Sequence, residues 1–191
     1  MASRHTTFRL NTGEDIPAIG FGTWQDENAQ EDAVLTALSA GYRHIDTAAV
    51  YGTEKAIGRA LARSRLSRDE LFITSKLWNN KHRPEDVEQA IDQSLKNLEI
   101  DYLDLYLMHW PAAFAPGDDM FPKDSQGNSK TVDIDYVDVC VTPGMILASC
   151  AKYHSRHTKR WRNSLNPERL KLSEFQISQK GKWKGCLRAA P

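Results

Sequence analysis

Strand-like and helix-like segments take turns along this chain as far as His109, and no other feature limits its possible folds as much. Residues 7–10, the polar stretch Asn11-Thr-Gly-Glu-Asp15 and residues 16–22 read as a short hairpin leading into a first strand. Ala29, Ala33, Val34, Ala37 and Leu38 then recur at helical spacing, and Gly41 stands where the left-handed residue after a helix belongs. A second strand is expected at 44–46, followed by a loop through Tyr51 and Gly52 and a helix with Ile57 and Leu61 on one face. Ser67 and Glu70 have capping-box spacing ahead of a third strand at 71–76. Pro84 suits the first position of a helix, Glu85 and Asp86 suit its positive end, and Val87, Ile91, Leu95 and Leu98 form its apolar stripe. The run 102–109, apolar until its end, predicts a fourth strand buried on both faces.

Strands separated by helices at intervals of about 25 to 33 residues imply right-handed βαβ crossovers and a parallel sheet. Periodicity alone leaves both an open doubly wound sheet and a closed barrel available. Residues 111–131, rich in Pro, Gly, Asp and Ser, predict a loop of 21 residues leaving the end of strand four, where a lid would sit.

The rhythm stops after Asp138. Residues 139–191 hold 11 Lys and Arg against 2 Asp and Glu, whereas residues 1–138 hold 14 against 23, so a net charge of zero conceals a balance of +9 after a balance of −9. Cys140, Cys150 and Cys186 all fall in this later part, at spacings that suit neither a disulfide framework nor a zinc site. The expectation is an organised unit at 1–138 and a basic, poorly ordered tail at 139–191. No segment approaches the roughly 18 apolar residues of a membrane span. The first residues lack the apolar core of a leader, so a cytoplasmic protein that binds neither membrane nor nucleic acid is expected.

Four ionisable residues fall at or just after the C-terminal ends of the expected strands: Asp46, Tyr51, Lys76 and His109. In a parallel α/β protein those ends share one rim, so residues distant in sequence converge there. They also make chemical sense together. Reducing a carbonyl by hydride transfer requires a proton donor for the oxygen as it becomes an alkoxide, and a phenol is a weak acid at neutral pH. An ammonium beside it stabilises the phenolate, a carboxylate holds the ammonium in place, and an imidazole orients the carbonyl oxygen. Singly, each residue has an ordinary explanation: a loop aspartate, a packed tyrosine, a lysine reaching to solvent, a buried histidine.

The strings around these residues resemble the signatures of the aldo-keto reductases over residues 7 to about 138. Gly41-Tyr-Arg-His-Ile-Asp-Thr-Ala-Ala-Val-Tyr-Gly52 is similar to the first, Ser75-Lys-Leu-Trp78 to the strand-three lysine motif, and Asp101-Tyr-Leu-Asp-Leu-Tyr-Leu-Met-His-Trp-Pro111 to the strand-four motif ending in histidine. Ile19-Gly-Phe-Gly-Thr-Trp24 is similar to the first-strand segment. The resemblance implies a (β/α)8 TIM-barrel fold, of which the hairpin and about four βα units are present here as a partial barrel. It implies NADPH as hydride donor, a small-molecule carbonyl substrate and a monomeric state, with aggregation a hazard of the open sheet edges, and it implies no metal. It further implies Tyr51 as general acid, Asp46 and Lys76 as its tuning pair, and His109 as the group that orients the substrate. Gly22, Thr23, Trp24 and Asp46 would lie along the nicotinamide, while Trp24, Trp78, His109 and Trp110 would line the carbonyl pocket.

The family barrel has eight strands, in about 250 residues. The Ser-Asn pair, glutamine, stacking tyrosine and basic phosphate loop that follow strand four in the family have no counterpart after Asp138. The change of charge, cysteine content and period at one place leads to the expectation that 139–191 arises from read-through or a shifted frame. On that expectation, the alternative to an NADPH-dependent aldehyde and ketone reductase is an inactive fragment with an incomplete cofactor site.

Overall fold

The computed structural model describes residues 6–10, 13–24 and 29–140, with the side chains of Val137 and Cys140 excepted. The basic tail expected at 139–191 lies outside the described residues from position 141 onward.

Strand β1 (Thr7–Arg9) pairs antiparallel with β2 (Asp15–Pro17), placing Phe8 opposite Ile16. Gly13, at φ +89°, supplies the left-handed residue of the turn, and its N–H donates to the Leu10 carbonyl at 3.0 Å. The expected segment 16–22 is divided between two sheets: Pro17, which lacks an N–H, ends the hairpin arm, and the chain enters the main sheet as β3 (Phe21–Gly22). Between them Gly20 lies against the His44 ring, where a Cβ would come within 2.7 Å of Nδ1.

The main sheet has the order β3, β4 (His44–Asp46), β5 (Phe72–Leu77), β6 (Leu105–Met108), every pair parallel. Helices α1 (Gln30–Ser39), α2 (Glu54–Ser64) and α3 (Pro84–Leu98) supply the crossovers, and the short α4 (Tyr136–Cys140) follows the long loop. Helix α1 stops because Gly41, at φ +98°, donates its N–H to Leu38 while Tyr42 donates to Ala37, both at 3.0 Å, the two bonds of a Schellman motif. Helices α2 and α3 cross closely at Gly58, where a Cβ would meet the Leu98 carbonyl oxygen at 2.7 Å. The outer sheet face and the inner helix faces bury Val34, Ile45, Ile57, Ile73, Leu77, Ile91, Leu98 and Leu103, and Val139 of α4 joins this core. Each such side chain contributes about 1.5 to 3 kcal/mol by leaving water. This is the parallel βα architecture of a partial TIM barrel.

Strand four departs from expectation in length and burial. It starts at Leu105 because the Asp104 carboxylate takes the place of a backbone carbonyl: Oδ2 accepts the Ile73 N–H at 2.8 Å and an Arg68 N–H at 2.5 Å. It is not buried on both faces. Tyr106 and Met108 pack towards the helices, whereas Leu107, on the alternate face, is 39% exposed. In a closed barrel that face meets strands from the opposite side, and none is present among the described residues.

The loop at 111–131 is ordered through its own backbone bridges, Phe114 to Thr131 and Lys123 to Ser129. At its tip the Asp124 carboxylate accepts the N–H groups of Gln126 and Asn128 at 2.8 and 2.9 Å.

Candidate active site

The sheet register places the site. Gly22 lies beside Asp46, Asp46 beside Thr74, and Lys76 beside Leu107, so alternation along β4 and β5 sends Asp46 and Lys76 to the inner face near the C-terminal ends of their strands. The Lys76 ammonium donates to Asp46 Oδ1 and also to the Thr47 carbonyl, at 2.9 Å. Thr23 fastens β3 to the same place, its N–H and Oγ1 both donating to the Asp46 carbonyl at 3.1 and 3.0 Å.

Tyr51 ends a 3-10 turn at Ala49–Tyr51 that departs from β4, and Gly52, at φ +72°, redirects the chain into α2. The turn lays the Tyr51 ring under the Lys76 ammonium, 5.1 Å from Nζ to ring centroid. On another side the ring meets His109 edge to face, with centroids 5.5 Å apart and planes at 83°. His109 is held by its backbone N–H to the Leu77 carbonyl at 3.0 Å, and its buried Nδ1 has no partner among the described residues. Burial first, and the Lys76 charge second, hold the His109 imidazole below the ordinary histidine range, against an opposing pull from Asp46. Both effects favour the neutral imidazole, which has one N–H to give.

The four ionisable residues named from the sequence therefore meet in one cluster. The tryptophans divide. Trp24 is 68% exposed with its ring 6.5 Å from Tyr51, and Trp110 is 50% exposed with its ring 6.0 Å from His109, so both stand at the rim. Trp78 is only 3% exposed and lies behind that wall, among the rings of His109, Trp110, Phe114 and Phe121, with Nε1 donating to the Met120 carbonyl at 2.7 Å. Asn80 donates to the Gly117 and Asp119 carbonyls, each at 3.0 Å, so the long loop is tied down over the end of β5. Through these ties the exposed Met120 and Phe121 join the apolar rim. Sequence reasoning passed over them; the available signal was an adjacent apolar pair within a polar loop.

Among the described residues nothing lies within 4 Å of where a Cβ on Gly22 would stand, leaving open space on the β3 backbone beside Thr23 and Asp46. A flat ring could approach the strand there, which suits a nicotinamide. Among the described residues there is no group of three or more His, Cys, Asp and Glu that could hold a metal ion, and no helix long and apolar enough to cross a membrane.

Residues 18–146 match the family model described as the aldo/keto reductase family. The chain belongs to the aldo/keto reductase family. Among curated aldo/keto reductases, it is 54% identical over 128 residues to the D/L-glyceraldehyde reductase of Hypocrea jecorina, a match covering 64% of this chain and 39% of that protein. It is 48% identical over 160 residues to aldo-keto reductase family 1 member A1 of Mus musculus, covering 77% and 49%. Among solved structures, the aldose reductase of Schistosoma japonicum superposes with a TM-score of 0.71 at 43% identity, covering 74% of this chain and 48% of that one. The chain thus spans about two fifths to one half of the length of these relatives.

Proposed function

We propose that this cluster reduces aldehydes and ketones to alcohols, with NADPH as the hydride donor. One observation carries the reading: a lysine ammonium, held by a carboxylate and a backbone carbonyl, faces a tyrosine ring that also touches a histidine. The relatives bear names such as D/L-glyceraldehyde reductase and aldose reductase, which agree with an aldehyde substrate.

Gly22, Thr23, Trp24 and Asp46 would hold the nicotinamide end of the cofactor. When bound, NADPH supplies a hydride to the carbonyl carbon. The uncharged His109 imidazole donates a hydrogen bond to the carbonyl oxygen and orients it. The Tyr51 hydroxyl gives its proton to that oxygen as negative charge develops there, and the Lys76 ammonium stabilises the phenolate left behind. Asp46 and the Thr47 carbonyl keep the ammonium at its post. Trp24, Trp110, Met120 and Phe121 offer apolar surface to the rest of the substrate, with Trp78 supporting them from behind. A monomer acting on a small molecule in the cytoplasm completes the reading.

The test uses the 191-residue chain with NADPH and a nitrobenzaldehyde, following loss of absorbance at 340 nm. Turnover that falls by about 10² to 10⁴ in Tyr51→Phe supports the proposal, in keeping with the usual contribution of a general acid. The second reading is a form of this fold that does not hold the cofactor, in a chain that spans half or less of the length of these relatives. It is the reading to adopt if the protein shows no turnover and NADPH leaves its tryptophan fluorescence unquenched.

A further inference from the structure

Behind β5, on the side away from Lys76, the apolar core is interrupted by a carboxylate. Glu54 is the first residue of α2 and is 2% exposed. Its Oε1 accepts the Ser75 hydroxyl at 2.9 Å and its Oε2 accepts the Asn97 amide N–H at 3.0 Å, so both oxygens are satisfied by side chains from two other elements. Its charge is felt nearby, where the wholly buried Tyr106 phenol is pushed up by burial and secondarily by Glu54. Taking a carboxylate out of water is costly, and an apolar residue would serve packing alone at lower cost.

What distinguishes the position is what it joins. Glu54 follows Tyr51 by three residues, across the Gly52 turn and Thr53. Ser75, fully buried, immediately precedes Lys76 in β5. Asn97 lies near the end of α3, and its own Oδ1 accepts from Gln93 Nε2 at 2.8 Å, which fixes the amide with its N–H towards Glu54. One buried group thereby ties the segment carrying the phenol to the strand carrying the ammonium, and braces both against α3. The direct approach of the Lys76 ammonium to the Tyr51 ring spans 5.1 Å and involves no hydrogen bond between the two, so it depends on how their backbones are held.

We infer that Glu54 is a positioning residue that sets the approach of Tyr51 to Lys76 through its bonds to Ser75 and Asn97. The inference rests on the proposed pairing of Tyr51 with Lys76 and extends it to a residue that touches neither substrate nor cofactor. It makes the start of α2 part of the proton-donating device.

The experiment needs no turnover. The full chain is labelled with 3-fluorotyrosine, and the Tyr51 fluorine resonance, assigned by its loss in Tyr51→Phe, reports the charge and ring surroundings of the phenol. Lys76→Met gives the reference displacement. Ser75→Ala, which removes only one hydroxyl, and Glu54→Gln, which removes the charge and one of the two acceptor oxygens, are each expected to displace the Tyr51 resonance towards its Lys76→Met position. The Tyr42 resonance, whose ring packs on Phe21 with centroids 5.9 Å apart, is expected to stay in place and marks the folded protein. If Glu54→Gln loses that marker, Ser75→Ala decides alone. A Tyr51 resonance unmoved by the folded Glu54 and Ser75 variants, yet displaced by Lys76→Met, overturns the role of Glu54 and spares the pairing. A resonance that Lys76→Met itself leaves unmoved sinks the pairing, and the inference with it.

Discussion

The two faces of the main sheet differ sharply in completeness. On the outer face Ile45, Ile73 and Leu77 are wholly buried against α1, α2 and α3. On the inner face Phe72 and Thr74 are buried, but Leu107 is 39% exposed and the Asp46 side chain 34% exposed, and the chemistry sits at the upper rim. The outer face is closed by helices that directly follow or precede each strand, so every βα unit brings its own cover. The inner face of a barrel is closed only by strands from across it. Local units therefore suffice for the hydrophobic core and for the Asp46, Tyr51, Lys76, His109 cluster, which draws on neighbouring strands alone.

The most damaging way to probe this contrast is to hollow the outer face. Ile73→Ala is expected to cost about 2 to 5 kcal/mol, as for a large side chain removed from a packed core. Chemical denaturation of the parent and the variant measures it. A cost under about 1 kcal/mol would mean that the outer core is not the packed layer described.

Acid is expected to weaken the fold through His82, which lies just before α3. It is 1% exposed, neither ring nitrogen has a partner among the described residues, and burial pushes its pKa down to about 4. An unfolded chain takes up this proton near the ordinary value of 6.5, whereas the folded chain resists it until about 4. Between those values the unfolded state binds more protons, so stability is lost as pH falls through the window, by at most roughly 3 kcal/mol for this group. His44 and His109, also held low chiefly by burial, add losses of the same sign below the ordinary histidine range. Thermal melts at neutral pH and at about pH 4.5 should converge in His82→Leu relative to the parent. An undiminished gap would remove His82 from the account.

A smaller effect is expected at the crossing of α2 and α3. Gly58→Ala places a methyl against the Leu98 carbonyl, which must move, at a cost of about 1 to 3 kcal/mol. The helical propensity gained, up to about 1 kcal/mol, acts in the opposite direction. A melting temperature equal to or above the parent's would show that the two helices can separate freely.

The sequence carried whatever depends on neighbours along the chain. The strand at 44–46, the start of α3 at Pro84 and the Gly41 stop of α1 follow from period, proline and glycine chemistry, and each was legible. The convergence of Asp46, Lys76 and His109 followed from the parallel strand order, and Tyr51 from its place in the loop after β4. The start of β6 was hidden, because it turns on the Asp104 carboxylate replacing a backbone carbonyl across a separation of 31 residues. The second anchor of Lys76 was hidden too, since the Thr47 carbonyl is backbone and carries no mark of residue type. Trp78 read as pocket wall, yet Met120 and Phe121 from the long loop cover it, a pairing that loop composition does not encode. In each case the missing information is a contact between segments distant in sequence.

The least disruptive substitution is also the most direct test of the open inner face. Leu107→Thr keeps a strand-forming residue in β6 and changes only what the sheet presents to the inside. If that face meets water, replacing a side chain already 39% exposed should alter stability by no more than about 0.5 kcal/mol, and the exchange of an apolar surface for a hydroxyl should improve solubility. A cost approaching that of Ile73→Ala would instead mean that Leu107 is covered in the working protein. The cover would have to come from residues beyond those described or from another chain, and the two faces of the sheet would then be equals.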